Sequence, residues 1–449
     1  MKKKTTLLLL FSVLLVLVAG ILYRNHLRQQ EQLPLDATVF VTDNWVFERR
    51  PSFEVQVTNP HAEAAKARVL IEITTDKKDP VKTIEKSTQL AAGAAQFIPL
   101  STPSDLAPGF YQAHCFVNGK AVRSFVFGIS PTDLVSAPDK QDDFDLFWDT
   151  AKKQLAAVEM NPVLTEIPAK SSPARKVYLV EMQSIPDGID GNPVTIRGYY
   201  CEPRDGKKHP VLLHYFGYDD YDGRRIPCPS GGTSQEFAEF FLSTRGQIIN
   251  NRTAALREPD GKGDFASIYG DWFAYHFGDK DSYYYRGAFM DCIQAVRFMA
   301  TRPTSDMDNL FAEGSSQGGA FSYAAAALSD IPFTAIAPGV AFLSDYPDYF
   351  DIVEWPGNTA RENQGSMTDA QMFAFLSYFD TKNLATRIHC AVIASSGLQD
   401  ETCPPHTNMA PYNNLAGKDK QMHFYPEMGH EVPPGWQDLY MEFFQERIR

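Results

Sequence analysis

The stretch NLFAEGSSQGGAFSYAAAALS, residues 309–329, decides the fold. A short apolar run typical of a strand comes first, an alanine-rich run typical of a helix comes last, and Gly314-x-Ser316-x-Gly318 lies between them. This order is the context of a nucleophile elbow, a sharp turn that lifts a serine hydroxyl above the edge of a sheet. Only Ser316 has glycine two residues before and two residues after it, so Ser316 is the predicted nucleophile and Ser315 the spacer. The alternative is a serine that merely caps the helix.

Outside this stretch, apolar runs of strand length alternate with longer helical runs. The strand-like runs include HPVLLHYF and CAVIASSG, and the helical runs include RGAFMDCIQAVRFMAT. Such alternation predicts a mostly parallel sheet with helices on both faces. Together with the elbow, it predicts an α/β-hydrolase fold over residues 138–449.

Residues 34–130 show a different pattern, a series of short alternating strands. Asn118-Gly119 between two extended runs is a strong signal for a two-residue hairpin. Strands at this spacing, without a long helical pattern, predict a small all-β sandwich domain of immunoglobulin-like type. Its role is open at this stage: a spacer, a structural lid, a carbohydrate-contacting surface or an oligomer-forming surface.

Residues 1–30 contain three lysines followed by an apolar run over residues 7–23. As a helix this run is about 25 Å long, which barely spans the hydrocarbon core of a bilayer. The pattern predicts an N-terminal hydrophobic helix that acts either as a cleaved signal peptide or as a membrane anchor. We therefore expect an exported protein, periplasmic or at the cell surface, either secreted or anchored through residues 7–23.

The chain is acidic, with a formal net charge of -13. This charge disfavours nucleic acid and anionic membrane surfaces as partners, and it suits a neutral small molecule or a carbohydrate. The six cysteines show no spacing typical of metal ligands, so we predict no metal site among them. Export would permit a disulfide between Cys201 and Cys228, although buried free thiols fit the sequence equally well.

A serine hydroxyl is a weak nucleophile at neutral pH and needs an adjacent base. In α/β hydrolases the catalytic residues follow the chain order serine, acid, histidine. His430 lies in a loop with glycine and proline after a strand-like run, and it is the predicted base. Asp400 follows the preceding strand-like run and is the predicted acid, which would hold and stabilise the imidazolium.

The rival candidates for these two roles are weaker. Glu401 is adjacent to Asp400 and is the second choice for the acid. Among the histidines, His406 follows two prolines, His423 lies inside a strand-like run, and His389 is expected to begin a buried strand.

The oxyanion of an ester intermediate requires positioned hydrogen-bond donors. One donor in this fold is the backbone N–H that follows the nucleophile, here that of Gln317. The second comes from the loop after an earlier strand, where Tyr218 follows Gly217 in FGYDDYDGRR. The alternative for this loop is a tight turn without a ligand role.

Taken together, these motifs resemble the acetyl xylan esterase / cephalosporin-C deacetylase family, which is carbohydrate esterase family 7. The resemblance covers roughly residues 138–449 and rests on FDLFWD, FGYDDYDG, TRGQ, SYYYRG, GSSQGG, GLQDETCPP and GHE. It implies a serine esterase that acts on acetylated xylo-oligosaccharides or related sugars and needs no cofactor. It implies catalytic roles for Ser316, Asp400 and His430, oxyanion donors at Tyr218 and Gln317, and a supporting role for Arg245, Gly246 and Gln247.

The chain departs from the family pattern in three respects. The family's F-H-G-Y reads Tyr215-Phe216-Gly217-Tyr218 here, so we expect an apolar ring beside the oxyanion loop to alter the acyl pocket. Ile248 stands where the family often has glycine. Family members tend to form ring-like hexamers, and the added N-terminal domain leaves homo-oligomer formation open for this chain.

Two other functions fit parts of the sequence. A serine peptidase or a longer-acyl esterase of the same fold would use the same three catalytic residues. Residues 34–130 are too few for a β-propeller, however, and the R-G-Q and H-E motifs favour the esterase. A sugar-binding surface protein with a relic site would not need the complete serine, aspartate and histidine set.

Overall fold

The computed structural model describes residues 34–102, 105–187, 191–218, 226, 228–231, 236–247, 249 and 271–449. The predicted N-terminal helix within residues 1–30 lies outside these ranges, as does Ile248. The chain divides into two compact units, with the division between Pro131 and Thr132. Within the described ranges, no helix is long and apolar enough to cross a membrane.

The first unit consists of two β-sheets. The three-stranded sheet has the order β1-β3-β6 and the five-stranded sheet has the order β2-β8-β7-β4-β5. The strands are β1 (Asp36–Phe40), β2 (Val46–Phe47), β3 (Ser52–Thr58), β4 (Ala65–Thr75), β5 (Pro80–Leu90), β6 (Ala95–Ser101), β7 (Gly109–Val117) and β8 (Lys120–Ile129). A short 3-10 helix, Asp43–Trp45, lies between β1 and β2.

The two sheets of the first unit pack face to face. Phe53 on β3 makes ring contacts with Phe125 and Phe127 on β8, at centroid distances of 5.3 and 5.2 Å. The turn Asn118-Gly119 joins β7 to β8, as the sequence predicts, and both of its residues have positive φ. The immunoglobulin-like assignment of this unit stays a prediction.

The second unit is built around a nine-stranded mixed sheet of order β17-β16-β15-β14-β12-β13-β11-β10-β9. Its strands are β9 (Val163–Glu166), β10 (Arg175–Pro186), β11 (Pro193–Pro203), β12 (His209–Tyr215), β13 (Ala238–Ser243), β14 (Ser305–Ser315), β15 (Ala335–Gly339), β16 (Ala391–Gly397) and β17 (Lys420–Tyr425). Strands β12 to β17 pair in parallel, and β9 to β11 extend the sheet in antiparallel fashion.

Helices cover both faces of this sheet. They are α1 (Phe144–Ala157), α2 (Tyr284–Ala300), α3 (Gln317–Leu328), α4 (Tyr346–Ile352), α5 (Gly357–Asn363), α6 (Asp369–Leu376), α7 (Thr381–Ala385), α8 (Pro405–Asn413) and α9 (Trp436–Gln445), with a 3-10 turn at Pro131–Asp133. The prediction of an α/β-hydrolase fold with a largely parallel sheet is confirmed.

The alternation of strand side chains explains how two layers of helices pack on one sheet. On β12, Leu212 belongs to a buried cluster with Trp436 and Phe444 of α9. Tyr215, three residues further along β12, contacts Phe321 of α3 on the opposite face, with ring centroids 6.4 Å apart. The core of the second unit therefore has two halves, and the carboxyl ends of β12, β14, β16 and β17 open at one edge of the sheet.

Candidate active site

Ser316 lies between the end of β14 and the start of α3 in a strained backbone conformation. Its φ of 58° and ψ of -124° are unusual for a residue with a side chain, and such strain costs on the order of 1–3 kcal/mol. Two backbone hydrogen bonds hold the turn: Ser316 N donates to Gly339 O at 2.9 Å, and Phe342 N donates to Ser316 O at 3.0 Å.

The glycines on either side of Ser316 are sterically required. A Cβ added to Gly314 would lie 2.5 Å from the carbonyl carbon of Gly318. A Cβ added to Gly318 would lie 2.4 Å from the carbonyl oxygen of Tyr215. The glycine spacing that selects Ser316 in the sequence therefore has a direct cause, because β12, β14 and α3 meet here at backbone contact distance.

The structure brings Ser316, His430 and Asp400 into one hydrogen-bonded chain. Nε2 of His430 lies 2.9 Å from Oγ of Ser316, and Nδ1 lies 2.8 Å from Oδ2 of Asp400. A His430 tautomer with its proton on Nδ1 donates to Asp400 and accepts the hydrogen bond of the serine hydroxyl on Nε2. This arrangement can remove the serine proton when the hydroxyl attacks a carbonyl carbon.

Asp400 is buried, and both oxygens of its carboxylate accept hydrogen bonds. Its Oδ1 accepts hydrogen bonds from the backbone N–H groups of Thr402 and Cys403, at 2.8 and 2.7 Å. Asp400 follows β16 and His430 follows β17, so adjacent parallel strands deliver both residues to the same edge of the sheet. The two loops meet closely, since a Cβ added to Gly397 would lie 2.4 Å from the carbonyl oxygen of Gly429.

The protonation of His430 reflects opposing effects. Burial lowers the pKa of the imidazole, but the neighbouring Cys403 sulfur and the Asp400 carboxylate outweigh burial and raise the pKa above its ordinary value. A raised pKa makes the imidazolium that forms after proton removal more stable.

The two predicted oxyanion donors lie on segments that flank Ser316. Gln317 is the first residue of α3, where the backbone N–H has no carbonyl four residues earlier within the helix and the helix dipole favours negative charge. Tyr218 follows Gly217, and a Cβ added to Gly217 would lie 3.8 Å from Cβ of Ser316. The loop after β12 therefore passes directly beside the nucleophile.

Gln247 connects the R-G-Q motif to this loop. Its Nε2 donates to the carbonyl oxygens of Phe216 and Gly217, at 3.2 and 3.1 Å. Its Oε1 accepts from the backbone N–H of Thr244 at 3.0 Å. Because a trans peptide is planar, holding the Gly217 carbonyl also fixes the direction of the Tyr218 N–H in the same peptide unit. Gln247 therefore orients the predicted oxyanion donor.

Arg245 anchors the turn that carries Gln247. Its guanidinium binds both carboxylate oxygens of buried Asp291, with Nε–Oδ2 at 2.9 Å and Nη2–Oδ1 at 2.8 Å. Gly246 has φ of +88°, which a residue with a side chain rarely adopts. Gly287 leaves room for the guanidinium, since a Cβ there would lie 2.1 Å from Nη1 of Arg245.

Three consecutive buried tyrosines, residues 283–285, form hydrogen bonds to segments around the site. Their hydroxyls donate, in chain order, to Phe273 O at 2.9 Å, Arg245 O at 2.7 Å and Gln317 Oε1 at 2.9 Å. The sequence contains this run as part of SYYYRG but does not indicate the three acceptors. Only the tertiary structure connects these hydroxyls to the elbow and to the R-G-Q turn.

The rival candidates lie elsewhere. Glu401 is exposed, and His423 lies on β17 with its ring 6.3 Å from that of Trp436. The expectation that His389 begins a buried strand is wrong: it is exposed and precedes β16, because the strand begins only at Ala391. His406 lies on α8, with Nε2 3.0 Å from Oδ2 of Asp348.

Asp345, Asp348 and His406 form a group whose potential ligand atoms lie within 4.8 Å of one another. The ammonium group of Lys382 already lies 2.8 Å from Oδ1 of Asp345 and supplies a positive charge to this buried group. The positive charge beside these three residues is therefore supplied by a lysine of the protein itself.

The expected effect of Phe216 on the acyl pocket stays a prediction, and the structure shows how this residue packs. Its ring packs against a hydrophobic cluster on the sheet, which comprises Ile167, Val177, Tyr199, Cys201, Ile226, Cys228 and Phe241. The change from histidine to phenylalanine in the family pattern therefore adds apolar packing behind the loop. Cys201 and Cys228 belong to this cluster as buried free thiols.

The largely parallel sheet and the strand–turn–helix at Ser316 define the class of protein as an α/β hydrolase. The family model for acetyl xylan esterase (AXE1) matches residues 133–447, which is most of the chain. The chain therefore belongs to the acetyl xylan esterase family.

Individual relatives agree with this family. The acetyl esterase Axe7A of Xylanibacter ruminicola is 27% identical over 331 residues, which cover 70% of this chain and 69% of that protein. The crystal structure of acetyl xylan esterase 1 from Thermoanaerobacterium sp. JW/SL YS485 is 26% identical, with a TM-score of 0.59. The acetyl xylan esterase from Paenibacillus sp. R4 is 28% identical, with a TM-score of 0.57. Each of these two structures matches 71% of this chain and is itself covered to 98%.

Proposed function

We propose that this protein is a serine esterase that removes acetyl groups from xylo-oligosaccharides or related acetylated sugars. One observation carries the proposal: Oγ of Ser316, the imidazole of His430 and the carboxylate of Asp400 form a continuous chain with contacts of 2.9 and 2.8 Å. The names of the relatives support an acetyl group as the acyl part of the substrate.

In the proposed mechanism, Ser316 attacks the ester carbonyl carbon while Nε2 of His430 takes the hydroxyl proton. The Asp400 carboxylate stabilises the imidazolium through Nδ1–H. The negative oxygen of the tetrahedral intermediate accepts hydrogen bonds from the N–H groups of Gln317 and Tyr218. His430 then donates its proton to the leaving sugar oxygen, which leaves an acetyl group on Ser316.

Water completes the cycle in the second half of the mechanism. His430 removes a proton from the water molecule as the oxygen attacks the acetyl carbonyl, and a second tetrahedral intermediate forms at the same oxyanion donors. Its collapse releases acetate and returns the proton to Oγ of Ser316. Each step uses groups of this chain and water alone.

An ester panel tests the acyl and alcohol parts of the proposal. We expect acetate release from acetylated xylobiose, with rates that fall from acetyl to propionyl to butyryl esters, and no cleavage of matched amides. Ser316→Ala is the control for background hydrolysis. Rates that rise with acyl length would indicate a longer-acyl esterase, and cleavage of the amides would indicate a peptidase; either result contradicts the proposal.

We also propose that the protein is exported, on the basis of the lysines and the apolar run within residues 1–30. Fractionation of cells that produce the full chain, compared with a chain lacking residues 1–30, tests this point. Export predicts that only the full chain leaves the cytoplasm, either free or membrane-bound. Equal cytoplasmic retention of both chains would contradict it.

A further inference from the structure

Four aromatic side chains form one group of contacting rings, here called the aromatic wall: Tyr218, Phe273, Phe342 and Trp355. Trp355 connects its members: the indole stacks on Phe342 with centroids 5.0 Å apart and an interplanar angle of 18°. It also meets Tyr218 at 5.6 Å in an edge-to-face arrangement, and Phe273 at 6.5 Å.

Two members of the wall are tied to Ser316 through the backbone. The N–H of Phe342 donates to the carbonyl oxygen of Ser316 at 3.0 Å. Tyr218 follows Gly217, whose added Cβ would lie 3.8 Å from Cβ of Ser316. Trp355 contacts the rings of both residues. Its indole is therefore supported by two segments whose backbones adjoin the nucleophile.

The members of the wall differ in exposure. Phe273 and Phe342 are 0% and 1% exposed, so they form the buried side of the wall. Trp355 and Tyr218 are partly exposed. A partly exposed tryptophan that is supported by buried rings, on segments that adjoin a nucleophile, is typical of a ligand-recognition surface.

We propose that Trp355 is the surface on which the sugar ring of the substrate packs while its acetyl group reaches Ser316. This inference rests on the proposed sugar-ester function and names the residue that recognises the alcohol part. A pyranose ring has faces lined with C–H groups, which pack against the electron-rich face of an indole, while its hydroxyls at the rim stay hydrated. An acetyl group has one methyl carbon and needs no surface of this size.

The test compares two esters of one acyl group, acetylated xylobiose and ethyl acetate, which has no ring. In Trp355→Ala, we expect the ratio of kcat/KM for acetylated xylobiose over ethyl acetate to fall about 10-fold, mainly through KM. Trp355→Phe keeps a ring and should retain most of the ratio. Leu146→Ala, which removes another exposed apolar side chain of the second unit, serves as the control.

A second measurement separates binding from chemistry. Calorimetry with acetylated xylobiose on Ser316→Ala and on Ser316→Ala/Trp355→Ala should show weaker binding by the double variant. A thermal unfolding scan of Trp355→Ala checks that the fold is retained.

Three outcomes would overturn the inference. An equal loss of kcat/KM on both esters would indicate a purely structural tryptophan. A change in acyl-length preference with an unchanged sugar ratio would place Trp355 on the acyl side. In both cases the wild type still deacetylates xylobiose, so the proposed function survives. A wild type that cleaves ethyl acetate but not acetylated xylobiose would instead refute the sugar-ester function, and this inference with it.

Discussion

At the residue scale, the side-chain amide of Gln247 links the turn after β13 to the loop that carries Tyr218. Its Nε2 donates to two carbonyl oxygens of that loop, at 3.1 and 3.2 Å. Gln247 does not reach the reacting atoms itself. It acts through the orientation of a peptide unit, which makes it a positioning residue for the predicted oxyanion donor.

Replacement of Gln247 by glutamate tests this role. Gln247→Glu keeps the size of the side chain but removes the N–H donors, so the Tyr218 peptide loses its restraint. We expect kcat to fall about 10- to 100-fold with little change in KM, because the oxyanion forms only along the reaction path. Steady-state kinetics on p-nitrophenyl acetate measures this effect.

The matched control for that variant is Gln183→Glu, in which the same change is made at a glutamine whose Nε2 donates to Thr195 Oγ1 at 3.0 Å on the sheet. This control should leave kcat within about twofold of the wild type. An unchanged kcat in Gln247→Glu would contradict the positioning role.

The pH dependence of hydrolysis follows from His430. Burial lowers the pKa of this imidazole, but Cys403 and Asp400 outweigh burial and raise it. Only the neutral imidazole accepts the serine proton, so kcat/KM should increase with pH through the pKa of the free enzyme. We expect the midpoint of this rise to lie above the ordinary histidine value of about 6.5. A midpoint at or below that value, measured on a non-ionising ester, would contradict the raised pKa.

At the element scale, a buried charge network joins four strands of the sheet. The ring of His214 on β12 has Nδ1 2.7 Å from Oε1 of Glu313 on β14, and Nε2 3.3 Å from Oε1 of Glu239 on β13. Glu239 also pairs with Arg175 on β10 at 3.3 Å. Both ring nitrogens face carboxylate oxygens, and only an imidazolium can donate on both sides. The network connects the strands that lead to the oxyanion loop, the R-G-Q turn and the elbow.

The stability of the protein should therefore depend on the charge of His214. Burial lowers the pKa of this ring, but Glu239 and Glu313 outweigh burial and raise it to about 9. A pKa that is higher in the folded than in the unfolded state means that the stabilisation is complete below the unfolded value of about 6.5. It is lost as the pH rises through about 9, and its size is on the order of 3 kcal/mol.

Denaturant unfolding of the wild type and His214→Gln over this pH range measures that contribution. The difference in the free energy of unfolding between the two proteins should shrink as the pH rises through the folded-state pKa. His209→Asn, which alters the other histidine of β12, provides the control. A difference that stays constant with pH would show that His214 is uncharged in the folded protein.

Local patterns in the sequence were sufficient to predict the α/β-hydrolase fold and the elbow at Ser316, because glycine spacing and strand–turn–helix order are local signals. The positions of Asp400 and His430 followed from chain order and from loops at strand ends. The acceptors of the three tyrosines, the reach of Gln247 and the contacts of Trp355 were not predictable, since each joins residues far apart in the chain. The packing of the Phe216 ring on the sheet cluster was not predictable either, because it also joins residues far apart in the chain.

At the scale of the whole molecule, the described part of the chain consists of two units. The model of the acetyl xylan esterase family matches only the second of them. The two solved relatives are each covered to 98% by 71% of this chain, and the family match begins at residue 133. The hydrogen-bonded chain of Ser316, His430 and Asp400 lies entirely within residues 132–449.

A shortened chain of residues 132–449 should therefore retain ester hydrolysis. We expect its kcat/KM on ethyl acetate to stay within about threefold of that of the full chain, because the site and its supporting hydrogen bonds belong to the second unit. The comparison is made with protein that passes a thermal unfolding check. A folded but inactive shortened chain would show that the first unit takes part in catalysis.

The central claim is that Ser316 is the nucleophile of an acetyl esterase, and the adjacent serine offers a direct control. Acetate release from acetylated xylobiose should be measured side by side for the wild type, Ser316→Ala and Ser315→Ala. We predict a loss of at least about 1,000-fold for Ser316→Ala and a rate within about threefold of the wild type for Ser315→Ala. Comparable losses in both variants, or retained acetate release in Ser316→Ala, would contradict the account.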